Sequence, residues 1–120
     1  MSRDFKRTDR VGAEMQRELA ELLREEIKDQ ALGIITLQEV RVVRDFSQAK
    51  VFFTAMAGQL SHKEVAAHLN KLAGHLRWLL GRRMKLRTVP KLIFVYDESV
   101  EEGEHLAALI DRAVADHESE

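Results

Sequence analysis

The segment Leu72–Pro90 reads LAGHLRWLLGRRMKLRTVP and has the apolar spacing of a helix over most of its length. Small residues stand at Ala73 and Gly74, although glycine costs a helix about 1 kcal/mol relative to alanine. The segment also holds five basic side chains and no carboxylate. Gly74 has three possible explanations: close helix packing, a kink that separates two helices, or a phosphate backbone near the main chain.

On both sides of this segment, the apolar pattern predicts an α+β two-layer domain, with a three-stranded sheet covered by helices. Thr8 is placed to cap a first helix that ends near Asp29, and Ser61 with Glu64 forms a capping box for a later helix. The kink explanation adds a helix boundary at Gly74. The predicted order is therefore helix, strand, strand, helix, kink, helix, strand, helix.

The strands are predicted from β-branched and aromatic residues, and the first two form a hairpin, Ile34–Val43 and Gln48–Ala57. The third strand, Lys91–Tyr96, follows Pro90 and is almost entirely apolar, so we expect it to be the most buried. In the second strand Phe52 is ambiguous. An exposed aromatic ring on a sheet can stack on a base, but packing beneath a loop or helix is more common.

A final helix is predicted to start at Ser99 and to face the core with a row of apolar side chains. This row is Leu106, Leu109, Ile110 and Val114. Residues 1–115 are expected to form one domain, and residues 116–120 a frayed acidic tail.

The charge is divided unevenly along the chain, although the net charge is only −1. Residues 1–96 carry 18 Lys or Arg against 11 Asp or Glu, whereas residues 97–120 carry 1 against 9. From Val65 to Tyr96 there are seven basic side chains and no acidic one. Such segregation indicates a polyanionic partner, and the alternative is a solvated helix face balanced by the acidic C-terminal block.

Several stretches resemble the ribosome-binding factor A family of bacterial small-subunit assembly factors. The most specific is LRTVPKLIFVYDES at Leu86–Ser99, and it is supported by DRVGAEMQRELAELL near the start and DQALGIITLQEVRVVRDFSQAKVFFT through the hairpin. The resemblance implies a type II KH-like fold in which an interhelical kink replaces the Gly-x-x-Gly loop. Gly74 matches the glycine of that kink, whereas Leu72 stands where the family has alanine.

The resemblance further implies binding to the 30S ribosomal subunit and its 16S rRNA during late maturation, near the decoding region, with a part in 5′-end processing. No catalysis and no cofactor are implied. A ribosome-associated GTPase is implied as a partner that promotes release, and we expect a monomer.

The basic residues around the interrupted helix and at the N-terminus are the predicted rRNA-binding residues. Arg82, Arg83 and Lys85 in particular are expected to face solvent. The full set is Lys71, Gly74, His75, Arg77, Arg82, Arg83, Lys85 and Arg87, with Arg3, Lys6, Arg7 and Arg10 as an N-terminal basic arm.

Other functional classes find less support in the sequence. There is no cysteine, no His-Glu-x-x-His pattern and no Gly-x-x-x-x-Gly-Lys loop, so we expect no metal site and no nucleotide hydrolysis. No apolar run reaches the roughly 20 residues that span a bilayer, and we expect a cytoplasmic protein without membrane partners. The remaining alternative is a protein-interaction module in which Trp78 and the Arg82–Arg83 pair bind an acidic protein surface.

Overall fold

The computed structural model describes the backbone of residues 2–118 and the side chains of residues 7–99 and 106–114. It contains three α-helices and three β-strands, and the predicted α+β class is confirmed. In chain order the elements are α1 (Ser2–Glu26), a short 3₁₀ helix (Gln30–Leu32), β1 (Ile34–Val42), β2 (Gln48–Met56), α2 (His62–Arg83), β3 (Lys91–Tyr96) and α3 (Ser99–Glu118).

The sheet is mixed and has the strand order β1-β2-β3. β1 pairs antiparallel with β2, as the predicted hairpin requires, and β3 lies parallel to β2. The expectation that β3 is the most buried strand is wrong. β2 is central, and its Ala49, Val51 and Phe53 are fully buried, whereas β3 forms an edge and buries only Leu92 and Phe94 among its six residues.

The hydrophobic core lies between α1 and α2 on one side and a single face of the sheet on the other. Alternation along each strand directs one set of side chains to these helices. Full burial of a leucine or phenylalanine stabilises the fold by about 1.5–3 kcal/mol. The largest fully buried side chains include Phe53, Met15, Leu19, Leu69, Leu76 and Leu80.

α2 is one continuous helix, so the predicted division into two helices at Gly74 is wrong. The backbone at Gly74 is helical, and among the described residues no atom apart from the adjacent backbone of α2 lies within 4 Å of where a Cβ would be. Close packing is therefore not the reason for this glycine. The apolar positions Leu69, Leu76 and Leu80 are fully buried on both sides of Gly74, and this packing outweighs a propensity cost of about 1 kcal/mol.

The start of α1 differs from prediction, whereas the start of α2 agrees with it. The backbone of α1 begins at Ser2, so Thr8 lies inside the helix and is not its cap. The segment before Thr8 contains no glycine or proline that would stop a helix. The capping box of α2 is confirmed: the Ser61 hydroxyl accepts from the Glu64 N–H and the Glu64 carboxylate accepts from the Ser61 N–H, both at 3.2 Å.

The expectation that α3 turns its apolar row toward the core is wrong. Leu106, Leu109, Ile110 and Val114 are 45–58% exposed. The helix-facing side of the sheet is already covered by α1 and α2, and no described residue of α3 belongs to the core. Whether residues 116–120 form a separate tail stays a prediction, because their side chains lie outside the described part of the chain.

Asn70 fixes α2 to the outer edge of β3. Its side-chain amide donates to the Phe94 carbonyl at 3.0 Å, and its carbonyl oxygen accepts from the Phe94 N–H at 2.9 Å. Both backbone groups point away from β2, because alternate residues of a parallel strand bond to opposite neighbours. α2 is thereby held in one position relative to the sheet.

Candidate nucleic-acid interface

The exposed side of α2 gathers several of the predicted residues on one surface. At 100° per residue, Lys71, His75, Trp78 and Arg82 lie within about 60° of one another around the helix axis. All four are exposed, and Gly74 borders them. This set of five residues is called the α2 surface below.

Trp78 is the centre of the α2 surface. It is 58% exposed, the Arg82 guanidinium lies 5.1 Å from its ring centroid, and His75 stacks beside it at 6.2 Å. Trp78, Arg82 and Gly74 also line an open groove of about 530 Å³. The predicted rRNA-binding set omitted Trp78, although its place between His75 and Arg82 in the helical repeat was a usable signal.

Arg77 joins α2 to the loop that leads into β3. Its Nε donates to the Val89 carbonyl at 2.9 Å, so Arg77 positions the loop as well as contributing charge. Within that loop Lys85 and Arg87 are exposed. The predicted basic residues of the loop therefore flank the C-terminal end of the α2 surface.

Arg83 is exposed, as expected, but its guanidinium is engaged by carboxylates of α1. Its guanidinium contacts the carboxylates of Glu18, Glu21 and Glu25 at 2.9–3.3 Å. The hydrogen bond that Arg83 donates to the Glu25 carboxylate is the largest of the effects that raise the pKa of Arg83 above its ordinary value. Arg83 lies about 100° around the helix from Arg82, which turns it toward α1. It thus serves mainly to join the two helices.

The surroundings of Gly74 and His75 are not those of the anion-binding site that a kink between two helices would create. Because α2 does not restart at Gly74, no unpaired amide groups are available there to bind an anion. His75 Nε2 lies 3.6 Å from a Glu26 carboxylate oxygen on α1. The α1 carboxylates thus border the α2 surface on one side, whereas Gly74 leaves room for close approach from solvent.

The N-terminal basic arm lies at the same end of the molecule as the loop after α2. Glu18 contacts Arg83 and Glu26 faces His75, so α1 and α2 run antiparallel. Arg10 is two helical turns before Glu18, about 12 Å further toward that end. Arg7 and Arg10 are exposed, and Arg7 lies over the Phe46 ring of the hairpin turn at 5.0 Å. The side chains of Arg3 and Lys6 lie outside the described residues.

The acidic block does not cover this surface within the described side chains. The carboxylates that pair with α2 cations there come from α1, and none comes from α3. Across residues 2–118, no helix is long and apolar enough to cross a membrane. Within the described part of the chain, the side chains of the α2 surface are exposed to solvent.

A mixed three-stranded sheet backed by two helices, with a basic outer helix face, places the chain in the class of KH-like domains. The family model for ribosome-binding factor A matches residues 7–110. The chain belongs to the ribosome-binding factor A family.

Curated relatives support this assignment over nearly the whole chain. Ribosome-binding factor A of Pseudomonas paraeruginosa is 54% identical over 119 residues, covering 97% of this chain and 92% of the relative. That of Thioalkalivibrio sulfidiphilus is 53% identical over 116 residues, covering 97% and 90%.

Solved structures agree with the fold. The crystal structure of ribosome-binding factor A from Thermus thermophilus superposes with a TM-score of 0.66 at 26% identity, covering 74% of this chain and 94% of that one. A homology model of the Thermus thermophilus factor, fitted into a cryo-EM map of its complex with the 30S subunit, gives a TM-score of 0.63 at 26% identity, covering 72% and 91%.

Proposed function

We propose that this chain is a non-catalytic assembly factor that binds the 30S subunit during late maturation, and that the α2 surface contacts 16S rRNA near the decoding region. The main support for this proposal is the row of exposed basic side chains around Trp78, in a stretch of sequence without carboxylates. The Thermus thermophilus relative, which was fitted into a map of its 30S complex, supports the choice of target.

The chemistry of the α2 surface suits an RNA backbone. Lysine and arginine side chains contact phosphates, and such contacts position a protein on RNA more than they read its sequence. The exposed face of Trp78 adds a platform on which a base can stack. The factor would therefore hold or displace rRNA helices while 5′-end processing proceeds, without forming or breaking bonds itself.

The remaining predicted residues extend this surface. Lys85 and Arg87 would continue the phosphate contacts beyond the end of α2, and the N-terminal arm with Arg7 and Arg10 would reach RNA at the same end. Arg83 is left out, because its charge is already balanced by three carboxylates. In this proposal a ribosome-associated GTPase promotes release after maturation, and the factor acts as a monomer.

The test is cosedimentation with mature and precursor 30S particles in sucrose gradients at several salt concentrations. The logarithm of the binding constant should fall by about 0.7–0.9 per phosphate contact for each unit of log salt. The double variant Arg82→Glu with Arg87→Glu should lose binding. Arg24→Glu is the matched control, since Arg24 is exposed on α1 beside the cleft with β1. Equal cosedimentation of the double variant and the wild type would reject the α2 surface as the interface.

The exposure of Trp78 beside Arg82 also favours a second candidate, a module that binds an acidic protein surface. Ribonuclease treatment separates the two functions. A complex with rRNA is lost after digestion, whereas a complex with a protein partner survives it.

A further inference from the structure

Among the described residues, no helix packs against the second face of the sheet. Residues that are directly opposite each other in the strand register share a face. Phe52 lies opposite Glu39 on one side and Val95 on the other, and Lys50 lies between Arg41 and Ile93. This set, together with Lys91 next to Gln48, is called the open sheet face.

Aromatic and apolar side chains on the open sheet face do not pack against the core. Phe52, Ile93 and Val95 are only half-buried, and none of them belongs to the packed cluster around the core. Packing of Phe52 beneath a loop or helix, the commoner arrangement, is therefore not found among the described residues. The Phe52 ring instead carries the Arg41 guanidinium at 5.2 Å from its centroid.

Positive charge is concentrated around this ring. Arg41, Lys50 and Lys91 are exposed, and the Glu39 carboxylate on the same face accepts a hydrogen bond from Arg41 Nε at 3.1 Å. Arg41 and Lys50 are directly opposite each other on neighbouring strands, which puts like charges about 5 Å apart at their Cβ atoms. Glu39 already offsets part of this repulsion through its ion pair with Arg41, and an anion bound between Arg41 and Lys50 would offset the rest.

We infer that the open sheet face is a second RNA surface, which binds single-stranded RNA by stacking a base on Phe52 and contacting phosphates through Arg41, Lys50 and Lys91. An acidic peptide would satisfy the cations without using the aromatic ring. A duplex keeps its base faces stacked inside, so only an unpaired strand offers both a base face and phosphates to a sheet.

The two RNA surfaces lie on opposite sides of a thin molecule. α2 packs on the covered face of the sheet, and the shortest extent of the Cα positions is 19 Å. One RNA element would therefore bind on each side. The inference rests on the proposed function only in taking ribosomal RNA as the source of the single strand. The open sheet face and the α2 surface share no residue, so the two sites can be tested separately.

The test uses the full chain and two fluorescein-labelled probes, a ten-nucleotide oligouridine and a ten-base-pair RNA duplex, measured by fluorescence anisotropy. Phe52→Leu keeps an apolar side chain but removes the stacking ring, and should weaken oligouridine binding by roughly tenfold. Lys50→Glu should also weaken it and lower the salt slope by at least about 0.7. Duplex binding should not change in either variant.

Two controls separate this site from the α2 surface. Thr36→Ala changes an exposed residue of the same sheet face, at the far end of β1, and should bind oligouridine like the wild type. Arg82→Glu should weaken 30S cosedimentation. Adding Phe52→Leu to the Arg82→Glu variant should weaken oligouridine binding as much as it does in the wild type. A normal 30S result for Arg82→Glu would count against the proposed function and leave the sheet site standing.

Lys50→Glu guards against a folding defect, because it places opposite charges across from each other and disturbs no packing. Wild-type oligouridine affinity in both Phe52→Leu and Lys50→Glu, with normal melting curves, would overturn the inference. The inference would also be overturned if either variant, without RNA, sedimented differently from the wild type while its RNA affinity stayed unchanged. That result would assign the open sheet face to a contact with another protein molecule, such as the apolar row of α3 from a second copy.

Discussion

Replacing Gly74 by alanine should stabilise the protein by about 1 kcal/mol. Gly74 has a helical backbone inside α2, and an added Cβ would meet no described atom within 4 Å apart from the adjacent helix backbone. The gain is the difference in helix propensity, which includes the reduced freedom of the unfolded chain. For a chain of this length the melting temperature should rise by about 3–6 °C, as followed by circular dichroism.

Gly12→Ala is the matched control for this stability measurement. A Cβ at Gly12 would lie 2.6 Å from the Val40 carbonyl oxygen, where α1 crosses β1. That variant should lose stability, because a backbone oxygen cannot move aside cheaply. A lower melting temperature for Gly74→Ala would refute the conclusion that this position is an open helical site.

The same Gly74→Ala variant also tests why the glycine is there. If an RNA backbone approaches the main chain at the α2 surface, the added methyl group holds it away, and 30S binding weakens several-fold while stability rises. Cosedimentation at moderate salt measures this effect. Unchanged 30S binding would remove Gly74 from the interface and leave its occurrence without a structural explanation.

Three further outcomes are expected. Arg83→Ala should lower the melting temperature because three carboxylates lose their cation, and the decrease should be smaller in high salt. Arg82→Ala, the matched comparison, should leave the melting temperature unchanged and weaken 30S cosedimentation. Asn70→Ala should cost about 1–3 kcal/mol in urea unfolding and speed amide exchange at Phe94, whose N–H and carbonyl lose their partner. Trp78 is the one tryptophan of the chain and is exposed, so it reports on the α2 surface. When 30S particles are added, its fluorescence emission should shift and its quenching by iodide should decrease. An unchanged fluorescence signal would place the interface elsewhere.

Local patterns predicted much of the fold. The hairpin strands were predicted to within one residue, and the Ser61–Glu64 capping box was predicted exactly where it occurs, because both depend on residues close together in the chain. Sheet order depends on contacts between distant segments. An apolar run such as Lys91–Tyr96 looks the same at a sheet centre and at an edge, so the burial of β3 was overestimated.

The candidate site was predictable as a region but not residue by residue. Arg82 and Arg83 are neighbours in a basic run, yet a rotation of about 100° turns one to solvent and the other to the carboxylates of α1. Only the packing of α1 against α2 distinguishes them. The same limit applies to the open sheet face, where Arg41 and Lys50 come from different strands and meet only through the register.

Asn70 has a consequence for how the protein behaves at high concentration. A small sheet offers two borders at which a foreign extended segment could attach and seed aggregates. On the β3 side, the Asn70 amide occupies the outward-facing groups of Phe94, and on the β1 side the register shift between Leu37 and Glu39 interrupts the regular ladder. Strand-by-strand growth is thereby discouraged at both borders, so the protein should stay dispersed at concentrations where an unprotected sheet of this size would aggregate.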